Sequence, residues 1–391
     1  MKIDPYKHKE RYLSWKQKVL NEGIPEVSKA NSKHILNYVF DMELGLNVSK
    51  INKKGARSYP RLNNIRQRMI FLIKTFEQLF SLRDITKLTE IQLFQFFANM
   101  RNGEFKTKTG QTYKSTADYV KVFKAFWHWY MKVQKKKGKY IIDITEDLDS
   151  TRPKPKWVHL EEDEIKKLTD NAKYEYKILI WFLIYTGIRA PTELMNVRVC
   201  DFYNDFKEFK IWDEVSKTFE REIKLMDFST EIKKFIENKN LQPTDQVFPI
   251  CPPVVNKYLQ RLAKRLFGDG ITKAGDKYSN LTMYDFRHIS CCFWARRYKD
   301  DLGMKLRFGW TDSKKIYYYS EFLGQKDSIK EEDMLIDVKK PEIEKRLIKT
   351  ENENTQLKDE VKYLKDMINE IGENTTKLKQ RMKVLEMKTC T

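Results

Sequence analysis

The chain has 391 residues, enough for two or three domains with cores of their own. A hydrophobic content of 41%, with 13% aromatic residues, excludes a largely disordered protein. The net charge is +20; residues 1–140 carry 29 Lys and Arg against 11 Asp and Glu, so 18 of the 20 excess charges lie there. Such a surplus favours nucleic acid as a partner over a membrane surface, although a generally Lys-rich proteome would give the same balance.

Nothing in the sequence indicates secretion or membrane insertion. The start, "MKIDPYKHKERYLSW", is charged and lacks the apolar core of a signal peptide. The longest apolar run, Ile178–Ile188, is too short to span a bilayer, which takes about 20 residues. The five cysteines show no metal-ligand spacing, and Cys291 and Cys292 are adjacent, so we expect reduced thiols in a cytoplasmic protein.

Residues 1–150 are expected to form a helical domain. Apolar residues recur at intervals of three and four in Arg66–Phe80 and in Ser115–Val133, with Lys and Arg between them. Ser115 is a candidate N-cap for the second helix. The segment 151–157, "TRPKPKW", holds two prolines without apolar periodicity, which is typical of a domain linker.

A second domain of mixed type is predicted for residues 158–330. One helix begins near "LEEDEIKKL", and an apolar helix ends at Gly187. Two short strands are predicted at Glu208–Trp212 and Arg221–Met226, and helices follow. The expected fold class is mainly α with a small β-sheet, α+β.

Two basic residues in this domain each admit two interpretations. Arg189 follows the end of the apolar helix and needs an anionic partner, which is either Glu193 or a ligand. Lys217 lies where the two strands turn back on each other, and by itself a turn lysine is simply solvated.

Two further fragments carry candidate chemistry. Arg287 and His288 open an apolar helix, whose N-terminus favours anions, although capping through Asp285 would explain the same pattern. The run Tyr317–Tyr319 follows the Gly-Trp pair at 309–310, and three consecutive tyrosines cannot all face one core.

In their order and spacing these fragments resemble the tyrosine recombinases, or phage-type integrases, and most closely their archaeal branch. The resemblance covers about Asn31 to Asp327 and rests on "TGIRAPTELMNVRVCD", "KTFEREIKL", "YDFRH" and "FGW" followed by the tyrosines. Two departures stand out: one extra residue precedes Glu193, and Tyr284 occupies a position where His is usual. The stretches "NSKHILNYVF" and "STADYVKVFKAFWHWY" resemble the family's core-binding domain, which implies that residues 1–150 bind DNA.

The resemblance implies a catalytic set, in which Tyr319, nine residues past Trp310, is the nucleophile and Tyr318 the next choice. The two arginines would bind the phosphate, Lys217 would be the general acid, and His288 would bind the phosphate or orient its neighbours. The Trp310 indole would hold the tyrosine helix. No metal and no other cofactor is implied. The implied catalytic residues are Arg189, Lys217, Tyr284, Arg287, His288, Trp310 and Tyr319.

The implied function is site-specific recombination of double-stranded DNA through a 3′-phosphotyrosyl intermediate, by a nucleoid-associated tetramer that integrates or excises a mobile element. A type IB-like topoisomerase shares the fold and much of the residue set, and a non-catalytic DNA-binding scaffold is the third hypothesis. The candidate DNA-binding lysines are Lys114, Lys121, Lys124, Lys135, Lys136 and Lys137.

The tail, residues 340–388, is predicted to form a coiled coil. Apolar residues follow a 3-4 spacing over about six heptads, with Val361 and Ile368 at a positions and Leu357 and Leu364 at d positions. This pattern favours a parallel dimer, in which Asn354 at an a position would set the register. The alternative is a helix that folds back onto its own catalytic domain.

Overall fold

The computed structural model describes residues 2–48, 55–107, 110–113, 115–298 and 300–324, together with separate positions between 350 and 368. The chain divides into two compact units, residues 1–319 and 320–391. Lys114 and most of the predicted coiled coil lie outside the described residues. Among the described helices, none combines the length and apolar character needed to cross a membrane.

The first part of unit 1 is helical, as the apolar periodicity predicts. Two of its helices, α3 (Tyr59–Phe80) and α5 (Thr116–Lys135), pack on each other, and Phe76 meets the Phe123 ring edge-on at 5.8 Å. Ser115 occupies the N-cap position of α5, but its side chain makes no capping hydrogen bond. Buried residues from Tyr12 to Leu148 form one hydrophobic core. The helices are α1 (His8–Glu22), α2 (Lys29–Leu44), α3 (Tyr59–Phe80), α4 (Glu90–Arg101) and α5 (Thr116–Lys135).

The rest of unit 1 combines helices with a small sheet, which confirms the predicted fold class. The central helix, α7 (Tyr174–Thr186), is apolar on every side, and α8 (Phe228–Asn238) and α10 (Asp285–Ala295) pack against it. The elements of this part of the chain are α6 (Glu162–Asp170), α7 (Tyr174–Thr186), β1 (Phe202–Tyr203), β2 (Glu208–Ile211), β3 (Arg221–Lys224), α8 (Phe228–Asn238), α9 (Pro252–Phe267), α10 (Asp285–Ala295), α11 (Asp301–Phe308) and α12 (Lys314–Leu323).

The three strands form an antiparallel sheet in the order β1-β2-β3. Phe209 of β2 lies opposite Ile223 of β3, and its ring meets Phe182 of α7 at 5.4 Å. Alternation along β3 turns Arg221 and Ile223 inward and leaves the other two residues exposed. An arginine therefore lies on the buried face of this sheet.

In unit 2, the described positions between 350 and 368 are helical. Within the single chain, four apolar side chains of the predicted heptad stripe are at least half exposed: Leu357 57%, Val361 50%, Leu364 55% and Ile368 66%. Whether this stripe forms a coiled coil stays a prediction.

Candidate active site

The two candidate phosphate-binding arginines lie close together at the end of α7 and the start of α10. Arg189 donates to Glu193 Oε1 over 2.6 Å and to the Gly309 carbonyl over 3.2 Å. Arg287, 6% exposed, donates to the carbonyls of Gly187 (2.5 Å) and Phe308 (2.6 Å). Burial lowers the pKa of Arg287 to about 10, so the guanidinium is still charged at neutral pH.

Glu193 is shared between two arginines. Its carboxylate accepts from Arg189 and, over 2.6 Å, from Arg221 Nη2 on the buried face of β3. Burial opposes ionisation, but the charges and hydrogen bonds of Arg221 and Arg189 outweigh it and lower the pKa of Glu193 to about 2. Both interpretations of Arg189 are thus compatible: it pairs with Glu193 and still lines the cavity described below.

Two glycine turns bring backbone carbonyls within hydrogen-bonding distance of the Arg287 and Arg189 side chains. Gly187 ends α7 with a φ of +58°, and a Cβ there would overlap the Phe308 ring. Gly309 ends α11, also with a φ of +58°. Their carbonyls receive hydrogen bonds from Arg287 and Arg189 respectively, so these turns orient the arginine pair.

Lys217 is exposed on the loop between β2 and β3, and the residues on both sides of it are anchored. Ser216 Oγ accepts from Arg221 over 3.3 Å, while Thr218 Oγ1 donates to the Gly309 carbonyl over 2.9 Å. These contacts hold the loop beside the glycine turn that binds Arg189.

The helix α12 separates the three tyrosines. Tyr317 is 69% exposed, whereas Tyr319 is 3% exposed and stacks on Trp310 with ring centroids 5.9 Å apart. Tyr318 accepts a hydrogen bond from the Trp157 indole over 2.9 Å. Each tyrosine therefore has a different environment, and Tyr319 is the one that faces the arginines' cavity.

The Tyr319 hydroxyl is paired with His288. Its oxygen lies 2.6 Å from His288 Nδ1, and the buried Cys291 thiol also bonds to it. Burial lowers the pKa of His288 to about 4, with smaller contributions from Lys315 and Arg287. Burial likewise raises the pKa of Tyr319 above its ordinary value. At neutral pH the tyrosine is protonated and the imidazole is neutral. In the tautomer whose Nδ1 carries no proton, the hydroxyl can donate to it, which is the arrangement of a nucleophile and its general base.

One cavity of about 220 Å³ brings the predicted catalytic residues together. Tyr284, 51% exposed, lies at its edge with its ring 5.5 Å from that of His288. Asp285 does not cap α10; its carboxylate accepts from Thr282 and Val158 instead. All seven predicted residues line this cavity: Arg189, Lys217, Tyr284, Arg287, His288, Trp310 and Tyr319.

The candidate DNA-binding lysines differ in exposure and in whether their ammonium groups already have protein partners. Lys121, Lys135 and Lys137 are exposed on or just after α5. Lys124 is partly buried and donates to the carbonyls at 146 and 148, and Lys136 donates to Asn47 Oδ1. The ammonium groups of these last two already have protein partners, so the DNA-contact hypothesis is stronger for the first three.

Sequence reasoning did not assign roles to four residues around the cavity: Trp157, Arg221, Cys291 and Lys315. For two of them the spacing in the sequence could have indicated their place. Alternation along β3 places Arg221 on the same face as Ile223, and Cys291 lies four residues after Arg287 on one helix face. Among the described residues there is no group of three or more His, Cys, Asp or Glu arranged to hold a metal ion.

No family model and no curated protein matches the chain. Solved structures do. The Tn1549 transposon integrase in complex with circular intermediate DNA aligns with a TM-score of 0.52 at 14% identity, over 80% of this chain and 99% of that chain. A lambda integrase dimer bound to a COC′ core site gives a TM-score of 0.51 at 14% identity, over 70% and 93%.

A third solved structure is XerH site-specific recombinase bound to palindromic difH substrate in a post-cleavage complex. It aligns with a TM-score of 0.50 at 13% identity, over 79% of this chain and 90% of that chain. Identities this low establish a shared architecture rather than shared chemistry. The chain therefore has the fold of solved tyrosine recombinases and integrases.

Proposed function

We propose that this protein is a site-specific DNA recombinase, similar to the archaeal tyrosine recombinases, that integrates or excises a mobile element. The observation that carries the proposal is the single cavity that holds a buried tyrosine against a neutral histidine, with two arginines and a lysine around it. The DNA complexes of the similar integrases and recombinases support it through the fold.

The arginines would bind the scissile phosphate. A phosphodiester repels nucleophiles through its own charge, and guanidinium groups neutralise non-bridging oxygens with charge-assisted hydrogen bonds. Because backbone carbonyls and Glu193 already orient Arg189 and Arg287, little reorganisation is needed when the phosphate arrives.

Attack would start at the Tyr319 hydroxyl. Its oxygen forms a bond to phosphorus while its proton moves to His288 Nδ1, which is neutral at pH 7. The P–O5′ bond breaks, and Lys217 donates a proton to the departing 5′-oxygen. The products are a 3′-phosphotyrosyl link and a free 5′-hydroxyl, so the bond is exchanged and no ATP is consumed. Two such exchanges on paired duplexes would recombine them through a four-way junction.

A covalent adduct tests this function directly. Full-length protein is incubated with a randomised library of nicked duplexes, from which the short cleaved fragment diffuses away and traps the intermediate. We expect a denaturation-resistant adduct on the peptide that contains Tyr319, located by mass spectrometry. Relaxation of a supercoiled plasmid without exchange would indicate a topoisomerase, and gel retardation without any adduct would indicate a scaffold.

Lys217→Ala should slow cleavage of ordinary DNA by about 10²–10⁴, the usual contribution of general acid catalysis. A substrate with a 5′-bridging sulfur should restore the rate, because a thiolate leaves without a proton. Lys224→Ala, which removes an exposed lysine of β3, is the matched control and should behave as wild type on both substrates. If the sulfur substrate does not restore the cleavage rate of Lys217→Ala, Lys217 is not the general acid.

We also propose that the tail pairs two protomers. The described part of its helix exposes the heptad stripe of Leu357, Val361, Leu364 and Ile368, and burial of such a stripe against a second copy would remove apolar surface from water. Dimerisation outside the catalytic unit would favour assembly of a recombining complex.

In sedimentation experiments the full-length protein should be a dimer at low micromolar concentration. Replacing Val361 and Ile368 together by Lys should yield monomers, because charges at a positions prevent close packing of the two helices. Lys362→Glu changes a charge on the opposite side of the helix and should leave the dimer intact. A monomeric wild-type protein would rule out pairing through the tail.

A further inference from the structure

Trp157, the last residue of the predicted linker, is buried beside the candidate active site, with 3% of its surface exposed. Its backbone is fastened to the catalytic part of unit 1 on both sides. The Trp157 carbonyl accepts from Thr272 Oγ1 over 3.2 Å, and the next amide, that of Val158, donates to Asp285 Oδ1 over 3.1 Å. The segment around it also bridges to Gly275. These contacts fix where the indole can lie.

The Trp157 indole contacts His288 and Tyr319, and also Tyr318, the residue before Tyr319. It stacks on the His288 ring with centroids 4.9 Å apart and planes 22° apart, and it meets the Tyr319 ring edge-on at 6.4 Å. Its Nε1–H donates to the Tyr318 hydroxyl over 2.9 Å. One side chain thus covers the base and holds the residue directly before the nucleophile.

The contact with Tyr318 adds to the others that orient α12. The helix has ten residues, and a helix of that length depends on tertiary packing. Its buried residues are Ile316 and Tyr319. The Tyr319 ring stacks on Trp310, and its hydroxyl lies 2.6 Å from His288 Nδ1. The bond from Trp157 to Tyr318 holds the residue directly before Tyr319, and small errors of placement at reacting atoms are costly in rate.

We infer that Trp157 is a positioning residue, which sets the contact between Tyr319 and His288 by stacking on the imidazole and bonding to Tyr318. The inference rests on the proposed function where cleavage is the readout. It also predicts properties of the protein without DNA, namely the titration of His288 and the hydrogen bond of the indole.

The hydrogen bond is tested with Trp157→Phe and Tyr318→Phe, which remove its donor and its acceptor, and with the double variant. Each single variant should lower the single-turnover rate of adduct formation at saturating DNA by about three- to ten-fold, the usual worth of one hydrogen bond, with an unchanged dissociation constant. The double variant should be no slower than the slower single variant. Tyr317→Phe, an exposed neighbour, is the matched control and should retain the wild-type rate.

Effects that multiply in the double variant would overturn the inference, as would equal rates in all variants. If no DNA yields an adduct with wild-type protein, the proposed function fails while the positioning role is still tested by NMR. The protein has eight tryptophans, so the Trp157 indole N–H signal is assigned by its loss in Trp157→Phe. Tyr318→Phe should shift that signal, and Tyr317→Phe should not; an unmoved signal contradicts the bond.

The stack is tested by titrating His288 by NMR in wild type and in Trp157→Ala, with His288→Gln to assign its signal among five histidines. Burial is the largest cause of its low pKa of about 4, so uncovering the ring should raise the pKa by about one unit or more towards 6.5. The acid limb of the cleavage rate should move to higher pH by the same amount. Groups that face His288 and persist in the variant are Tyr284, Arg287, Lys315 and Tyr319, with Cys291 beyond Tyr319 and His159 beyond Trp157.

An unchanged His288 pKa in folded Trp157→Ala would overturn the covering role. Should Trp157→Ala fail to fold, Trp157→Phe provides the same measurement, because the smaller ring covers less of the imidazole. Its His288 pKa is then expected between the wild-type value and 6.5, and no rise in that variant would equally contradict the inference.

Discussion

Replacing Tyr319 by Phe is expected to abolish covalent attachment of the protein to DNA and to leave DNA affinity within a few-fold of wild type. Only the hydroxyl is lost, and it is the atom placed 2.6 Å from His288 Nδ1. The ring retains its stack on Trp310, so α12 keeps its place. The measurement pairs adduct formation on nicked duplexes with binding by fluorescence anisotropy.

The neighbouring tyrosines provide the controls for this prediction. Tyr317→Phe should form the adduct at the wild-type rate, and Tyr318→Phe should form it more slowly but to completion, because Tyr318 bonds to Trp157 rather than to the cavity. An adduct in Tyr319→Phe that disappears in Tyr318→Phe would show that the nucleophile is one residue earlier.

The sequence predicted the regular elements of the catalytic part best where periodicity was strong. The strands near Glu208 and Arg221 and the helix that ends at Gly187 are present. The strand β1 was missed because its two residues are too few to show alternation. Ser115 lies at the predicted cap position but does not cap, since helix starts can be satisfied without the N-cap side chain.

The candidate site was predictable to the extent that its residues fall into recognisable fragments. Arg189, Arg287 and Tyr319, far apart in sequence, line one cavity because two glycine turns and α12 bring them there. The catalytic roles themselves stay predictions until the variants are measured.

Contacts that depend on tertiary packing were beyond sequence reasoning. The prolines of the linker did not indicate that Trp157 would stack on His288, since the loop before α10 brings the two together through Thr272 and Gly275. The pairing of Tyr319 with His288 could not be predicted for the same reason: the short distance between them exists only once α10 and α12 pack together.

Arg189→Ala and Arg287→Ala are each expected to slow cleavage by about 10²–10³, the typical cost of removing one preorganised donor. They should differ in stability. Without Arg189, Glu193 keeps its ion pair with Arg221, so the melting temperature should change little. Without Arg287, the buried carbonyls of Gly187 and Phe308 lose their donor, which costs about 1–3 kcal/mol of folding free energy per unsatisfied group.

The comparison separates catalysis from folding when rates and melting temperatures are measured on the same variants. Arg221→Ala breaks a buried ion pair, which typically costs about 3–5 kcal/mol, although Arg221 does not line the cavity. Its melting temperature therefore shows what the loss of a buried charge partner costs the fold. Arg189→Lys keeps a positive charge but cannot reproduce the planar fork, so it should recover only part of the rate. A folded Arg189→Ala that cleaves at the wild-type rate would mean that Arg189 only forms an ion pair with Glu193 and that other residues bind the phosphate.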